Sequence, residues 1–362
     1  MSVSQAPAFA GGVANVAQLA DFDEVIDVRS PAEFAEDRLP RAINCPVLDN
    51  LQRAHVGTLY KQESPFAAKK LGAVLVARNI AEHIEQRFLD RPRDWRPLVY
   101  CWRGGQRSGA FSHILRQIGW DAQRLEGGYK AWRRHVLDQL ATVPQRLRYC
   151  VIGGATGSGK SRLLEALALE GAQVLHLEAI AEHKGSVLGG LSRASQPSQK
   201  MFESRLFLAL AGFSPEQPVF VEAESRRIGQ LQLPDALLEM IRASPGLHID
   251  ATTSARIDFL LRDYDYFLAD PLWLIEKLRH LQGLQSQETI SRWVDLVTAR
   301  DFRVLVGELL ELHYDPLYQR SQARNYLAFK TAVGLSTGDL SPAGIARLAR
   351  QILAGSAPGA GV

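Results

Sequence analysis

Val151-Ile152-Gly153-Gly154-Ala155-Thr156-Gly157-Ser158-Gly159-Lys160-Ser161 reads as a strand running into a phosphate-binding loop. Gly154 to Ser161 fits the pattern G-x-x-x-x-G-K-[ST] without a mismatch. Upstream, Tyr149, Cys150, Val151 and Ile152 form the short apolar run of a buried parallel strand. Downstream, Leu163, Leu164, Ala166, Leu167 and Leu169 suit a packed helix. Glycines let such a backbone curl until several N–H groups point inward at an anion, and the helix N-terminus adds partial positive charge. The phosphate-binding candidates are therefore Gly154, Thr156, Gly157, Ser158, Gly159, Lys160 and Ser161. Lys160 supplies a full charge, and Ser161 faces a metal ion if one is bound. The loop does not say which phosphate it holds.

The 362 residues are enough for two domains of ordinary size. Hydrophobic content of 46% and charged content of 22% are those of a soluble globular protein. The 42 basic and 39 acidic residues leave a net charge of +3. Neither side of residue 143 stands out, with 19 basic and 16 acidic residues before it and 23 of each after it. Overall charge thus does not mark a nucleic-acid binder; only a local patch could. The first residues lack the basic segment and apolar core of a signal peptide, and no apolar run approaches the roughly 20 residues of a membrane helix. Cys45, Cys101 and Cys150 do not make a disulfide framework, so a cytoplasmic protein with reduced thiols is expected.

Ahead of the phosphate loop, Glu24 to Arg29 reads as a strand, and Ser30-Pro31-Ala32-Glu33 as a capping box opening a helix. Residues 66–89 have helical character, and Pro97-Leu98-Val99-Tyr100 is a further strand with Cys101 at its C-terminal end. Strand, loop and helix in repetition argue for a parallel sheet. Cys101-Trp102-Arg103-Gly104-Gly105-Gln106-Arg107-Ser108 follows, at the edge where such sheets bind ligands. Loop amides, the helix dipole, Arg103 and Arg107 all favour a thiolate at Cys101. Cys45 and Cys150 lie inside strand-like runs and read as buried apolar filler.

Asp27-Val28-Arg29 with Glu33-Phe34, Leu39 to Asn44, Cys101 to Ser108, and Leu125-Glu126-Gly127-Gly128-Tyr129-Lys130-Ala131-Trp132 together resemble a rhodanese domain over residues 10–138. The resemblance implies that Cys101 carries sulfur or selenium as an anionic adduct held by the loop amides. Trp102 is then a candidate for packing near a substrate, or for the core.

A short linker, 139–147, holds Pro144 and leads to a second domain at 148–354; the glycine- and proline-containing tail 355–362 is expected to be disordered. Gly171 to Leu177 and Pro218 to Glu222 read as strands, and Gln196 to Lys200 as the start of a helix. Glu222 and Glu224 stand where phosphate-loop enzymes usually keep a metal-positioning aspartate, or else they form an ion-pair network with Arg226 and Arg227. From residue 232 the pattern is mostly helical. Phe302, Leu305, Leu309 and Leu312 share a face, and that helix should end near Tyr314-Asp315-Pro316. His176, Glu178, Glu182 and His183 match no metal-ligand signature.

The fusion, and stretches that neither generic fold explains, resemble the bacterial tRNA 2-selenouridine synthases along almost the whole chain. Those stretches are Glu182-His183-Lys184-Gly185-Ser186, Gln196 to Lys200 with Phe202-Glu203, Val221 to Gly229 with Glu222, Glu224, Arg226 and Arg227, and His313-Tyr314-Asp315-Pro316-Leu317-Tyr318. The fold class is α/β: a rhodanese-like parallel-sheet domain, then a P-loop α/β domain with a mostly helical C-terminal part. The resemblance implies conversion of 2-thiouridine to 2-selenouridine at the wobble position of tRNAs for Lys, Glu and Gln. Sulfur is first geranylated from geranyl diphosphate, and the S-geranyl group is then displaced by selenium from selenophosphate. No tightly bound cofactor and no structural metal are implied, and use of magnesium stays open. The other readings are a nucleotide-dependent rhodanese-type sulfurtransferase or kinase, and a non-enzymatic sensor.

Overall fold

A computed structural model of the chain describes residues 12–183, 196–263, 269–325 and 332–355. They divide into two units, one holding the residues up to Gln139 with Ser198–Ser204, the other Leu140–Pro197 and the residues from Arg205 onward.

The first unit is built on five parallel strands: β1 (Val13–Ala14), β2 (Glu24–Asp27), β3 (Ala42–Asn44), β4 (Pro97–Tyr100) and β5 (Gln123–Leu125), in the order β1-β5-β4-β2-β3. All four residues of β4 are buried, which is why its sequence is an unbroken apolar run. Ile26, Val28, Val99, Phe111 and Leu115 share one core with Phe88 and Trp95, whose rings lie 4.9 Å apart. The expected capping box opens helix Pro31–Glu36, with the Ser30 amide donating to Glu33 Oε2 at 3.1 Å. The helical character of 66–89 is helix Pro65–Arg87. A helix not anticipated, Asn50–Gln62, has no fully buried residue, and Leu51 and Tyr60 are exposed. Without an apolar stripe it showed no helical period, and its capping box, Asp49 with Gln52, does the initiating.

The residues expected to join two domains are themselves mostly helical. Helix Gly128–Thr142 passes into a 3-10 turn, Val143–Arg146, before the next strand begins at Arg148. Pro144 lies in the first turn of that 3-10 segment, where its missing N–H costs nothing.

The second unit has its own parallel sheet: β6 (Arg148–Gly154), β7 (Gln173–Leu175), β8 (Pro218–Glu222), β11 (Gly246–Ala251) and β12 (Val333–Thr337), in the order β12-β11-β6-β8-β7. β9 (Arg227–Ile228) and β10 (Leu231–Gln232) form a small antiparallel pair. The phosphate-loop strand β6 is central, between β11 and β8. Beyond residue 232 helices do predominate, but β11 and β12 interrupt them. β11 reads Gly-Leu-His-Ile-Asp-Ala, with His248 and Asp250 breaking the apolar run, so only its pairing with β6 and β12 reveals a strand.

The helix begun at Phe302 does not stop near Pro316. Helix Phe302–Leu309 continues through a π turn, Leu310–Tyr314, into helix Asp315–Asn325. The wider turn changes the phase, burying Leu310 and His313 and leaving Leu312 47% exposed, off the face it was expected to share. Among the described residues, no helix is long and apolar enough to cross a membrane.

Candidate functional site

The first chemical centre is the loop after β4. Cys101 is buried, and its Sγ lies 3.2 Å from Ser108 Oγ in the first turn of helix Gln106–Ile118. Burial alone would raise the thiol, but the Ser108 hydroxyl and amide, the Arg107 charge and the Arg103 amide outweigh it and hold Cys101 below the ordinary thiol value. Cys45 and Cys150, equally buried but without such donors, are pushed up to about 12 by burial. Identical side chains are thus separated by their hydrogen-bond donors.

Arg103 and Arg107 act differently. The Arg103 residue is exposed and contributes its backbone N–H, whereas Arg107 Nη1 donates to Glu33 Oε2 at 3.0 Å. Arg53 Nε reaches the same oxygen at 3.0 Å. Burial works against the Glu33 charge, but Arg107, the Ser30 amide and Arg53 hold its carboxyl below the usual range. A cavity of about 480 Å³ is lined by Ala32, Glu33, Glu36, Arg53, Trp102 and Arg107. Trp102 lies half-buried against Tyr129, with ring centroids 5.2 Å apart.

The Gly127-Gly128-Tyr129 stretch is the seat of this loop. The Tyr129 amide donates to the Cys101 carbonyl at 2.8 Å and the Lys130 amide to Trp102 at 3.0 Å. Gly128 has φ +59°, and a Cβ there would stand 2.3 Å from the Cys101 carbonyl oxygen. Only glycine permits that approach.

The second centre is the phosphate loop, between β6 and helix Lys160–Leu169. Gly154, Gly157 and Gly159 all have positive φ, which curls the loop as its motif requires. Lys160 Nζ donates to the Gly154 carbonyl at 2.7 Å. The Ser161 hydroxyl donates to Glu178 Oε2 at 2.8 Å. Burial, with Arg256 nearby, lowers the Lys160 ammonium although Glu178, Glu224 and Glu222 oppose the shift. Burial and the neighbouring Glu222 raise Glu178, while Lys160 and Ser161 act the other way. Glu224 is raised well above the usual carboxylate value by burial, Glu178 and Glu222.

Glu222 is fully buried at the end of β8; it accepts from the Leu177 amide at 2.9 Å and pairs with His176 Nδ1 at 2.5 Å. Burial opposes charge on His176, but Glu222 and then Glu178 prevail and raise it. The ion-pair alternative for Arg226 is corrected: its partner is Asp235, and Arg227 is exposed. Glu182 pairs with Arg205 at 2.6 Å, and burial lowers His183. Lys184 lies outside the described residues. Among the described residues, no group of three or more His, Cys, Asp or Glu is arranged to hold a metal ion.

Sequence reasoning missed several contributors. Glu178 and His176 were considered only as metal ligands and set aside, yet they partner Ser161 and Glu222. Arg53 lay in a helix without an apolar period. Arg256 and Tyr318 reach the loop from distant positions, although Tyr318 belongs to a stretch singled out above.

Comparison with known proteins matches the two halves of the chain to two separate domain families. Residues 13–135 match the model of the rhodanese-like domain, and residues 147–270 match the tRNA 2-selenouridine synthase AAA domain. The chain is similar to three proteins named tRNA 2-selenouridine synthase. It is 38% identical to that of Nitrosomonas europaea over 259 residues, which is 70% of this chain and 66% of the relative. It is 30% identical to that of Bdellovibrio bacteriovorus over 351 residues, 84% of this chain and 90% of the relative. With that of Alcanivorax borkumensis the identity is 32% over 332 residues, covering 83% and 90%. Since the likeness runs through both loops and across nine tenths of two relatives, the chain belongs to the tRNA 2-selenouridine synthase family.

Proposed function

We propose that the protein converts 2-thiouridine to 2-selenouridine at the wobble position of tRNAs for Lys, Glu and Gln. In the first step the thiocarbonyl sulfur attacks geranyl diphosphate, and diphosphate leaves. A thiocarbonyl sulfur is a poor leaving group, and alkylation makes it a good one. In the second step the selenium of selenophosphate, already at the selenide level, attacks C2 of the S-geranyl base and expels geranylthiol, while water takes the phosphoryl group as phosphate; Cys101 is the thiolate on which this step depends.

The observation that carries this reading is the pairing, on one chain of this family, of a thiol held below its ordinary value with a complete phosphate loop. Departure of diphosphate needs charge neutralisation, which the loop amides and Lys160 are suited to supply. It needs no hydrolytic base, consistent with Glu222 being committed to His176 and the Leu177 amide. Ser161 with Glu178 is where a magnesium ion accompanying the diphosphate would be met. Arg53, Arg107 and Trp102 line a cavity suited to a nucleotide, with guanidinium groups for phosphate and an indole for the unstacked base.

Mass spectrometry of 2-thiouridine tRNA incubated with the protein, geranyl diphosphate and selenophosphate tests the reading. The expected product is 2-selenouridine, with S-geranyl-2-thiouridine accumulating when selenophosphate is withheld. Unchanged tRNA, from a preparation that splits ATP or moves sulfur to cyanide, would replace this reading with the sulfurtransferase or kinase alternative.

A further inference from the structure

The phosphate loop is gripped by its backbone from two distant helices. Arg256, on helix Thr253–Asp263, is only 6% exposed. Its Nε donates to the Thr156 carbonyl at 2.8 Å, while Nη1 and Nη2 donate to the two Asp315 oxygens at 3.0 and 2.6 Å. At the start of the loop, the Gly154 N–H donates to the Tyr318 hydroxyl at 2.9 Å. Asp315 and Tyr318 are three residues apart on helix Asp315–Asn325 and share a face. The π turn Leu310–Tyr314 sets the phase of that face, and such turns recur at functional sites. Helix Thr253–Asp263 lies close: a Cβ on Gly157, whose φ is +81°, would stand 2.9 Å from Leu260 Cδ1.

A buried guanidinium is costly unless its donors are placed. Here they are divided between one carboxylate and one loop carbonyl. A trans peptide is planar, so holding the Thr156 carbonyl toward Arg256 aims the Gly157 N–H the opposite way. Anchoring the Gly154 N–H on Tyr318 fixes the strand end from which the loop departs.

We propose that Arg256, Asp315 and Tyr318 are positioning residues that brace the phosphate loop through its backbone, holding its amides ready for a diphosphate. The brace stands on its own geometry, and rests on the proposed function only for the identity of that diphosphate. It also gives a role to the His313-to-Tyr318 stretch.

The test compares Arg256→Lys, Asp315→Asn and Tyr318→Phe with the unaltered protein, using amide hydrogen exchange over residues 154–161 and geranylation kinetics. Exchange in β7 and β8 serves as the control for folding. Each variant should exchange loop amides about tenfold faster, as expected for one lost hydrogen bond. Each should lower kcat/KM for geranyl diphosphate about tenfold while KM for tRNA is unchanged. Arg256→Lys combined with Asp315→Asn should be no worse than Arg256→Lys alone, because the two act as one unit. Loop exchange unchanged in all three variants, or multiplicative losses in the double variant, overturns the brace. If loop exchange rises as expected but the unaltered protein does not use geranyl diphosphate, the brace stands and the prenyl-donor reading falls.

Discussion

The Cys101 loop and the phosphate loop each leave the C-terminal end of an inner parallel strand and enter a helix, yet they are held by different means. The Cys101 loop rests on near neighbours: Ser108 in the following helix, and the amides of Tyr129 and Lys130, 28 positions beyond the carbonyls they hold. The phosphate loop is held by Arg256 and Tyr318, 100 and 164 positions from their partners. Their charges are managed differently too. Around Cys101, donors outweigh burial and favour the anion. Around Lys160, burial pushes the lysine down and Glu178 and Glu224 up, so that burial there outweighs the opposite charges nearby. A nucleophile must itself carry the negative charge, whereas a diphosphate brings its own. The first loop therefore needs donors aimed at one atom, and the second needs donors spread over a whole anion.

The sharpest way to break the comparison is to remove one centre at a time. Cys101→Ala should abolish selenation while geranylation of 2-thiouridine tRNA continues, measured by mass spectrometry of each product. Equal loss of both steps in a folded variant would falsify the division of labour. Lys160→Ala should lower geranylation from geranyl diphosphate by about a hundredfold, the scale of losing one charge stabiliser at a leaving group. A variant that geranylates at the normal rate would mean that the loop serves another ligand. The smallest effect probes how the thiol is held. In Ser108→Ala the donor favouring the thiolate is gone and burial remains, so the midpoint of Cys101 alkylation against pH should move upward. Loss of one bond to a charged group should slow alkylation at neutral pH about tenfold. A midpoint that stays put or falls would remove Ser108 from the account.

How much was legible depends on how far apart the partners lie. Asp27-Val28-Arg29 and Ser30 to Glu33 were readable because strand and capping box are local patterns. The phosphate loop was readable because its glycines and lysine are adjacent. Helix Asn50–Gln62 was not, since it buries no residue fully, and β11 was not, since His248 and Asp250 interrupt it. The continuation past Pro316 was hidden because a proline in the first turn of a helix looks like a terminator when the preceding π turn cannot be seen.

The sequence alone pointed to the two strand–loop–helix centres, their order, Cys101 among three cysteines, and the family resemblance, because each is carried by short motifs whose own residues lie within a few positions of one another. Only the tertiary structure decided that Glu222 meets His176, that Glu178 meets Ser161, and that Arg256, Asp315 and Tyr318 close on the phosphate loop. Those contacts join chain positions as much as 164 residues apart, and sheet order and helix phase, which bring them together, leave no short-range periodicity to read.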